Sequence, residues 1–144
     1  MKQRAAVTMM AVLLMAGTTA AAQPGYFSTL EKHQKADLEK AACQYSEDLK
    51  TGNTGVIESA LAHVIRMKLF VPELSCPDLE MGLRLLAVTG ETPGIRHRAY
   101  LATLVFDSPA LFKEEATRLY DGPDEIFWSV ASRVNVAVLE PQNQ

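Results

Sequence analysis

The stretch TGETPGIRHRAYLATLVFDSP, residues 89–109, decides the reading of this chain. Thr92 is a capping residue, and Pro93 follows it at the first helical position, where its missing N–H is not needed and its φ is already suitable. A helix begins there. Ile95, Ala99, Ala102 and Phe106 recur at helical spacing, and Tyr100, Leu101, Leu104 and Val105 widen the apolar stripe beyond what a one-sided surface helix needs. The obviously polar residues of the body are Arg96, His97, Arg98 and Thr103, so neighbouring helices are expected to pack around this one. Ser108 and Pro109 then repeat the start signal.

Working outward, the same pattern returns. Ser75 or Cys76 precedes Pro77, and Leu79, Leu83 and Leu86 form a buried side before Gly90 stops the helix. After Ser108 and Pro109 the spacing predicts another helix with Leu111, Phe112, Ala116 and Leu119 inward, ended by Asp121 and Gly122. Pro123 opens a last helix whose first turn carries Asp124 and Glu125, suited to the positive helix end, and whose buried side is Ile126, Phe127, Val130, Ala131, Val134 and Val138. Upstream, Leu30, Gln34, Leu38, Ala41, Ala42, Tyr45 and Leu49 make a narrow stripe among many charges, the mark of an outer helix, which TGNTG at residues 51–55 ends. Between that turn and Pro72, Val56, Ile57, Ala60, Leu61, Val64, Ile65 and Leu69 fill a wide face, the mark of a second buried helix. The fold class is therefore all-α: either a short stack of antiparallel helix pairs or a compact bundle of about six helices.

The start of the chain has the features of an export signal. Lys2 and Arg4 form a basic beginning, residues 5–16 are apolar apart from Thr8, and Ala20 and Ala22 occupy the small positions of a cleavage site before Gln23. The apolar run is too short for a membrane span. The expected organisation is a signal peptide at 1–22, a flexible leader at 23–28, one helical domain at 29–139 and a disordered tail at 140–144. Cleavage leaves 122 of the 144 residues, enough for one domain, and a net charge of −5, since Lys2 and Arg4 are lost and all 17 acids stay. That balance, with no basic stripe, argues against nucleic acid as the main partner. Localisation is expected to be periplasmic or extracellular. In such a compartment the two cysteines, Cys43 and Cys76, are expected to form a disulfide.

The prolines at 77, 93, 109 and 123 are separated by 16, 16 and 14 residues, and TGNTGVIESALAHVI echoes TGETPGIRHRAYLATL about 38 residues later, with Ala60 opposite Ala99 and Ile65 opposite Leu104. Gly94, Ile95, Arg96, Ala99 and Leu104 resemble the V-R-x-x-A-x-x-A-L helix start of HEAT-like repeats, and Gly55, Val56, Ala60 and Ile65 are a fainter copy without the Arg. The resemblance covers roughly residues 51–138. It implies a short right-handed stack of helix pairs that binds protein partners, and it carries over no catalytic residues.

Chemistry-bearing motifs are sparse. His33, His63 and His97 are far apart, and no His or Cys pair has ligand spacing, so neither a metal nor another cofactor is expected. Phosphate-binding glycine loops and the serine-hydrolase elbow are absent from the sequence. Glu114 with Glu115, and Asp124 with Glu125, are neighbours pointing about 100° apart on a helix, which reads as solvated surface. Met67 and Met81 read as core fillers. The candidate partner-binding residues are Arg96, His97 and Arg98, which crowd positive charge into the first turn of a helix where the dipole is already positive, and Trp128, whose neighbour Phe127 takes the core-facing position or leaves it to Trp128. One of the two arginines should be paired, with acids such as Glu80 or Glu91, and the other presented. The expected function is a non-catalytic exported domain that acts as a scaffold or adaptor for an unidentified envelope or secreted protein. The alternatives are an all-helical enzyme with an unrecognised active site and a ligand-carrying helical bundle.

Overall fold

The computed structural model describes residues 34–139. The expected signal segment, the leader, residues 29–33 of the expected first helix and the tail all lie outside the described residues. Five α-helices and one 3₁₀ segment follow in order: α1 (Lys35–Asp48), α2 (Thr54–Phe70), α3 (Pro77–Thr89), α4 (Pro93–Asp107), the 3₁₀ segment (Pro109–Thr117) and α5 (Pro123–Leu139). There is no strand among the described residues. Each of the four prolines in the regular series opens a helical element, as its fixed φ and absent donor favour. Where the starts carry a side-chain cap, it is the expected kind: Asn53 accepts from the Val56 N–H at 3.2 Å, and Thr92 Oγ1 accepts from the Ile95 N–H at 3.1 Å.

The chain wraps around α2. That helix packs against α1, α4, the 3₁₀ segment and α5, so contacts converge on one central element, which makes the arrangement a compact bundle. Leu61, Ala62, Val64 and Ile65 are fully buried on successive sides of α2, and so are most of the residues around them. Even two cations sit inside, each with its charge directed at a carbonyl. Arg66 donates to the Ala116 carbonyl at 2.8 Å, and Lys68 Nζ donates to the Leu74 carbonyl at 2.6 Å, with its ammonium 5.1 Å from the Phe106 ring centre. Burial pushes the Lys68 ammonium below its ordinary value of 10.5, and Glu80 and Glu73 partly oppose that shift.

Cys43 of α1 and Cys76, the residue capping α3, are joined in a disulfide with Cα atoms 5.7 Å apart. The bond matters because α1 buries little, chiefly Leu38, Ala42 and Ser46. Closing a loop of 33 residues stabilises by roughly 3 to 4 kcal/mol in the chain-entropy model. The stacked rings of Tyr45 and His63, with centres 5.7 Å apart, add a second tie between α1 and α2.

The expectations for residues 109–117, Leu119, Met81 and Val138 are corrected. Residues 109–117 form a 3₁₀ segment, broken at Phe112, rather than an α-helix. With three residues per turn, positions i and i+3 share a side, so Phe112 and Glu115 point inward. Leu119, read as core from a 3.6-residue period, lies beyond Thr117 and is 85% exposed, while Tyr120 takes the buried place. Met81 is on the outer face of α3, and Val138 stands on the projecting end of α5, so both are exposed rather than core.

Candidate partner-binding site

The turn from α3 to α4 sets the first part of the surface. Gly90 ends α3, and a Cβ there would lie 2.7 Å from the Leu86 carbonyl oxygen and 2.9 Å from Ile95 Cγ2, so only glycine fits this close approach. Arg96 closes the turn by donating from Nη1 to the Gly90 carbonyl at 2.6 Å. Its guanidinium thus answers an orphan carbonyl at the end of α3, and neither Glu80 nor Glu91 is its partner.

Arg98 is paired as well, with acids the sequence reading did not foresee. Nη1 lies 2.9 Å from Glu58 of α2 and Nη2 lies 2.7 Å from Asp124 of α5, while the guanidinium covers the Phe127 ring at 4.9 Å. One side chain therefore joins α2, α4 and α5, and Asp124 serves as its counter-ion as well as favouring the helix start. Both arginines are structural ties, and His97 is the member of the trio left facing solvent.

Phe127 faces the core and Trp128 faces out, 75% exposed. Trp128 forms a ridge between two surface recesses. The first, about 210 Å³, lies between α4 and α5 and brings His97, Arg98, Asp124 and Trp128 together over Leu101, Phe127 and Ala131. The second, about 290 Å³, runs along α5 beside the 3₁₀ segment and is lined by Trp128, Ser132, Val136, Arg118 and Arg133 among others. Of the four sequence candidates, His97, Arg98 and Trp128 meet at the first recess, and Arg96 is directed into the α3–α4 turn.

Beneath the second recess lies a polar cluster that the sequence reading missed. Glu115 accepts hydrogen bonds on Oε2 from the hydroxyls of Tyr120, at 2.8 Å, and Ser129, while Arg118 donates to the Ser129 hydroxyl at 3.0 Å. Burial, then the hydrogen bond to Glu115, pushes the Tyr120 hydroxyl well above its ordinary value of 10.0. The Ser129 hydroxyl is held between an acceptor, the Glu115 carboxylate, and a donor, the Arg118 guanidinium. The cluster is a clamp that fastens the 3₁₀ segment to α5. Glu125 caps the approach by accepting from the Asp121 N–H at 2.8 Å. Of the neighbouring acids Glu114 and Glu115, both read as surface, Glu114 does stay outside, 3.0 Å from Arg133, and Glu115 does not. The signal that could have found it is the i, i+3 relation to Phe112 behind a proline, read at 3₁₀ period.

A third surface feature belongs to α3. Met81, Leu85 and Val88, spaced i, i+4 and i+7, are 65%, 62% and 77% exposed and form an apolar stripe on the side away from Leu79 and Leu83. Asp78 stands one turn before the stripe and Glu91 just beyond it, both exposed. Arg84, on the same helix, is held by Asp107 at 2.6 Å.

No helix among the described residues is long and apolar enough to cross a membrane, and no group of three or more His, Cys, Asp or Glu among them could hold a metal ion. Compared with known proteins, the chain matches no family model, no curated sequence and no solved structure.

Proposed function

We propose that this protein is a non-catalytic exported adaptor that seats an amphipathic helix of another envelope or secreted protein on the outer face of α3. The observation that carries the reading is the Met81, Leu85 and Val88 stripe, an apolar row at helical spacing on a domain whose core is complete without it. A helix laid along α3 would meet these three side chains with its own i, i+4 and i+7 anchors. Asp78 and Glu91 at the two ends, with Arg84 already neutralised by Asp107, favour a partner whose apolar ridge is flanked by Lys or Arg. The resemblance of residues 94–104 to a HEAT-like helix start supports the same reading, since such helix pairs offer faces to protein partners. The buried cluster of Glu115, Tyr120 and Ser129 is engaged within itself, which favours a binding role over an enzymatic one.

The test uses the purified protein and two synthetic amphipathic helices with the same apolar ridge, one flanked by lysines and one by glutamates. Binding of the basic peptide, at least tenfold weaker for the acidic one and lost in Leu85→Glu, is the expected result. Equal binding of both peptides, or binding that survives Leu85→Glu, would refute it. A photo-reactive residue at position 85 in the exporting cell should then crosslink to a segment of the same chemistry.

A further inference from the structure

The start of α3 differs from the starts of α2 and α4. Asn53 of α2 and Thr92 of α4 each hold the third N–H of their helix with a side-chain oxygen, at Val56 and Ile95. Cys76 occupies the same position before α3, yet its side chain makes no cap hydrogen bond, and its sulfur is bonded to Cys43 instead. The two cysteines also differ in access. Cys43 is exposed on α1, whereas Cys76 is 2% exposed. Helix α1 leans on this bond. It is 14 residues long, near the lower limit for a helix that stands alone, and Gln34 gives it no side-chain cap. The large side chains buried most completely, from Leu61 to Val130, all belong to other parts of the chain. The other ties of α1 include the stacked rings of Tyr45 and His63, the packing of Leu38, Ala42 and Leu49, and an exposed pair of Lys35 with Glu73 at 3.8 Å.

We propose that the Cys43–Cys76 bond is a latch opened by an external dithiol, which reaches Cys43 in the folded protein and frees α1 from α2 and α3 while the other helices stay packed. Exchange aligns the incoming thiolate, the attacked sulfur and the leaving sulfur. With Cys43 outside and Cys76 inside, that line runs inward from solvent. The attacking sulfur bonds to Cys43 Sγ, the S–S bond breaks, and its electron pair leaves on Cys76 Sγ as a thiolate. That thiolate forms at the cap position of α3, where the Leu79 N–H is the counterpart of those of Val56 and Ile95 and the positive helix end favours an anion. Asp78 and Glu80 in the same turn oppose the charge, and the Lys68 ammonium, which holds the Leu74 carbonyl two residues before Cys76, favours it. The second thiol of the reagent then attacks the reagent sulfur in the mixed disulfide and releases Cys43. The dithiol ends as a disulfide, and its two protons pass to Cys43 and Cys76. Departure of α1 uncovers the His63 side of α2 and Gly82 of α3, where a Cβ would lie 3.7 Å from Leu49 Cδ1.

The test uses the purified, oxidised protein without denaturant. Dithiothreitol should reduce the bond at a rate proportional to its concentration. Glutathione in large excess, which has no second thiol, should be found by acid quenching and peptide mapping as a mixed disulfide on Cys43 and not on Cys76. On reduction, the gap in amide-exchange protection between residues 35–48 and residues 54–70 should widen at least tenfold, and reoxidation should close it. The double variant Cys43→Ser, Cys76→Ser should show the reduced pattern with no dithiol present. A bond that opens only at the rate of global unfolding, whatever the dithiol concentration, overturns the proposal. So does a glutathione adduct on Cys76 or on neither cysteine. A reduced protein or double variant in which α1 keeps its protection, or in which all helices lose theirs together, overturns it as well. None of these readouts uses position 85, so the adaptor reading and the latch stand or fall separately.

Discussion

Helices α2 and α5 have the same length, 17 residues, and both are rich in aliphatic side chains, yet they meet opposite fates. Along α2 the burial continues almost to the end, and Arg66 and Lys68 are drawn in with the aliphatics. Along α5 it stops after Val134, and the remaining apolar residues face water. Composition does not separate the two. Placement in the bundle does, because α2 is enclosed by α1, α4, the 3₁₀ segment and α5, whereas the residues of α5 described after Val134 are exposed. An apolar helix is a demand for cover, and the chain itself meets that demand only at the centre.

The sharpest way to break this contrast is to truncate one side chain in each helix. Leu61→Ala, at the fully buried centre of α2, should cost about 4 kcal/mol, as leucine-to-alanine changes in closed cores do. Val138→Ala should change monomer stability by less than about 0.5 kcal/mol. Urea denaturation of both at low protein concentration checks the pair, and comparable losses would mean that the end of α5 is covered within one chain.

Next in size is the disulfide. Replacing Cys43 and Cys76 together by Ser should cost about 3 kcal/mol, and the loss should be concentrated in α1. Amide exchange should rise first in residues 35–48 while α2 stays protected. Uniform loss of protection would show that α1 is held as firmly by packing as the inner helices are.

The smallest effect separates two inner ionisable groups, Tyr120 and Lys68, by the sign of their pH dependence. The folded Tyr120 keeps its proton above pH 10, where the unfolded chain gives it up, so the folded state binds more protons there and stability falls as pH rises past 10. Lys68 has the opposite sign. Its folded value is lowered, so stability rises as pH climbs from that value towards 10.5. Tyr120→Phe should lower stability at neutral pH, since Glu115 loses a donor, and should flatten the alkaline fall. An unchanged slope above pH 10 would assign the fall to another group.

Much of the architecture was legible because its signals are local. A capping residue before proline constrains a single turn of backbone, and this placed the starts of α3, α4, the 3₁₀ segment and α5. The cysteine pair was legible because only one pairing exists within the chain. What was not legible depended on period or on distant partners. Residues 109–117 tighten to three residues per turn, which moves Glu115 inward and sends Leu119 out. Arg98 finds Glu58 and Asp124, 40 and 26 positions away, and no local pattern announces either. Met81 has the same chemistry as Met67. It lies outside only because α3 is an outer helix with one face against α1 and α4. The candidate partner-binding residues were legible only in part: the sequence left open which of Phe127 and Trp128 faces the core, and the engagement of both arginines came from tertiary placement.

The central place of α2 also sets an order of events during synthesis. Residues 54–70 emerge before the surfaces that close over them, which include Ile126, Phe127 and Val130 of α5. A chain interrupted at Gly122 would leave that side of α2 open, Arg98 without Asp124 and Glu115 without Ser129. The nascent protein therefore gains little by folding piecemeal. The seventeen residues of α5 act as the closing step, without which the side of α2 that meets Ile126, Phe127 and Val130 stays open.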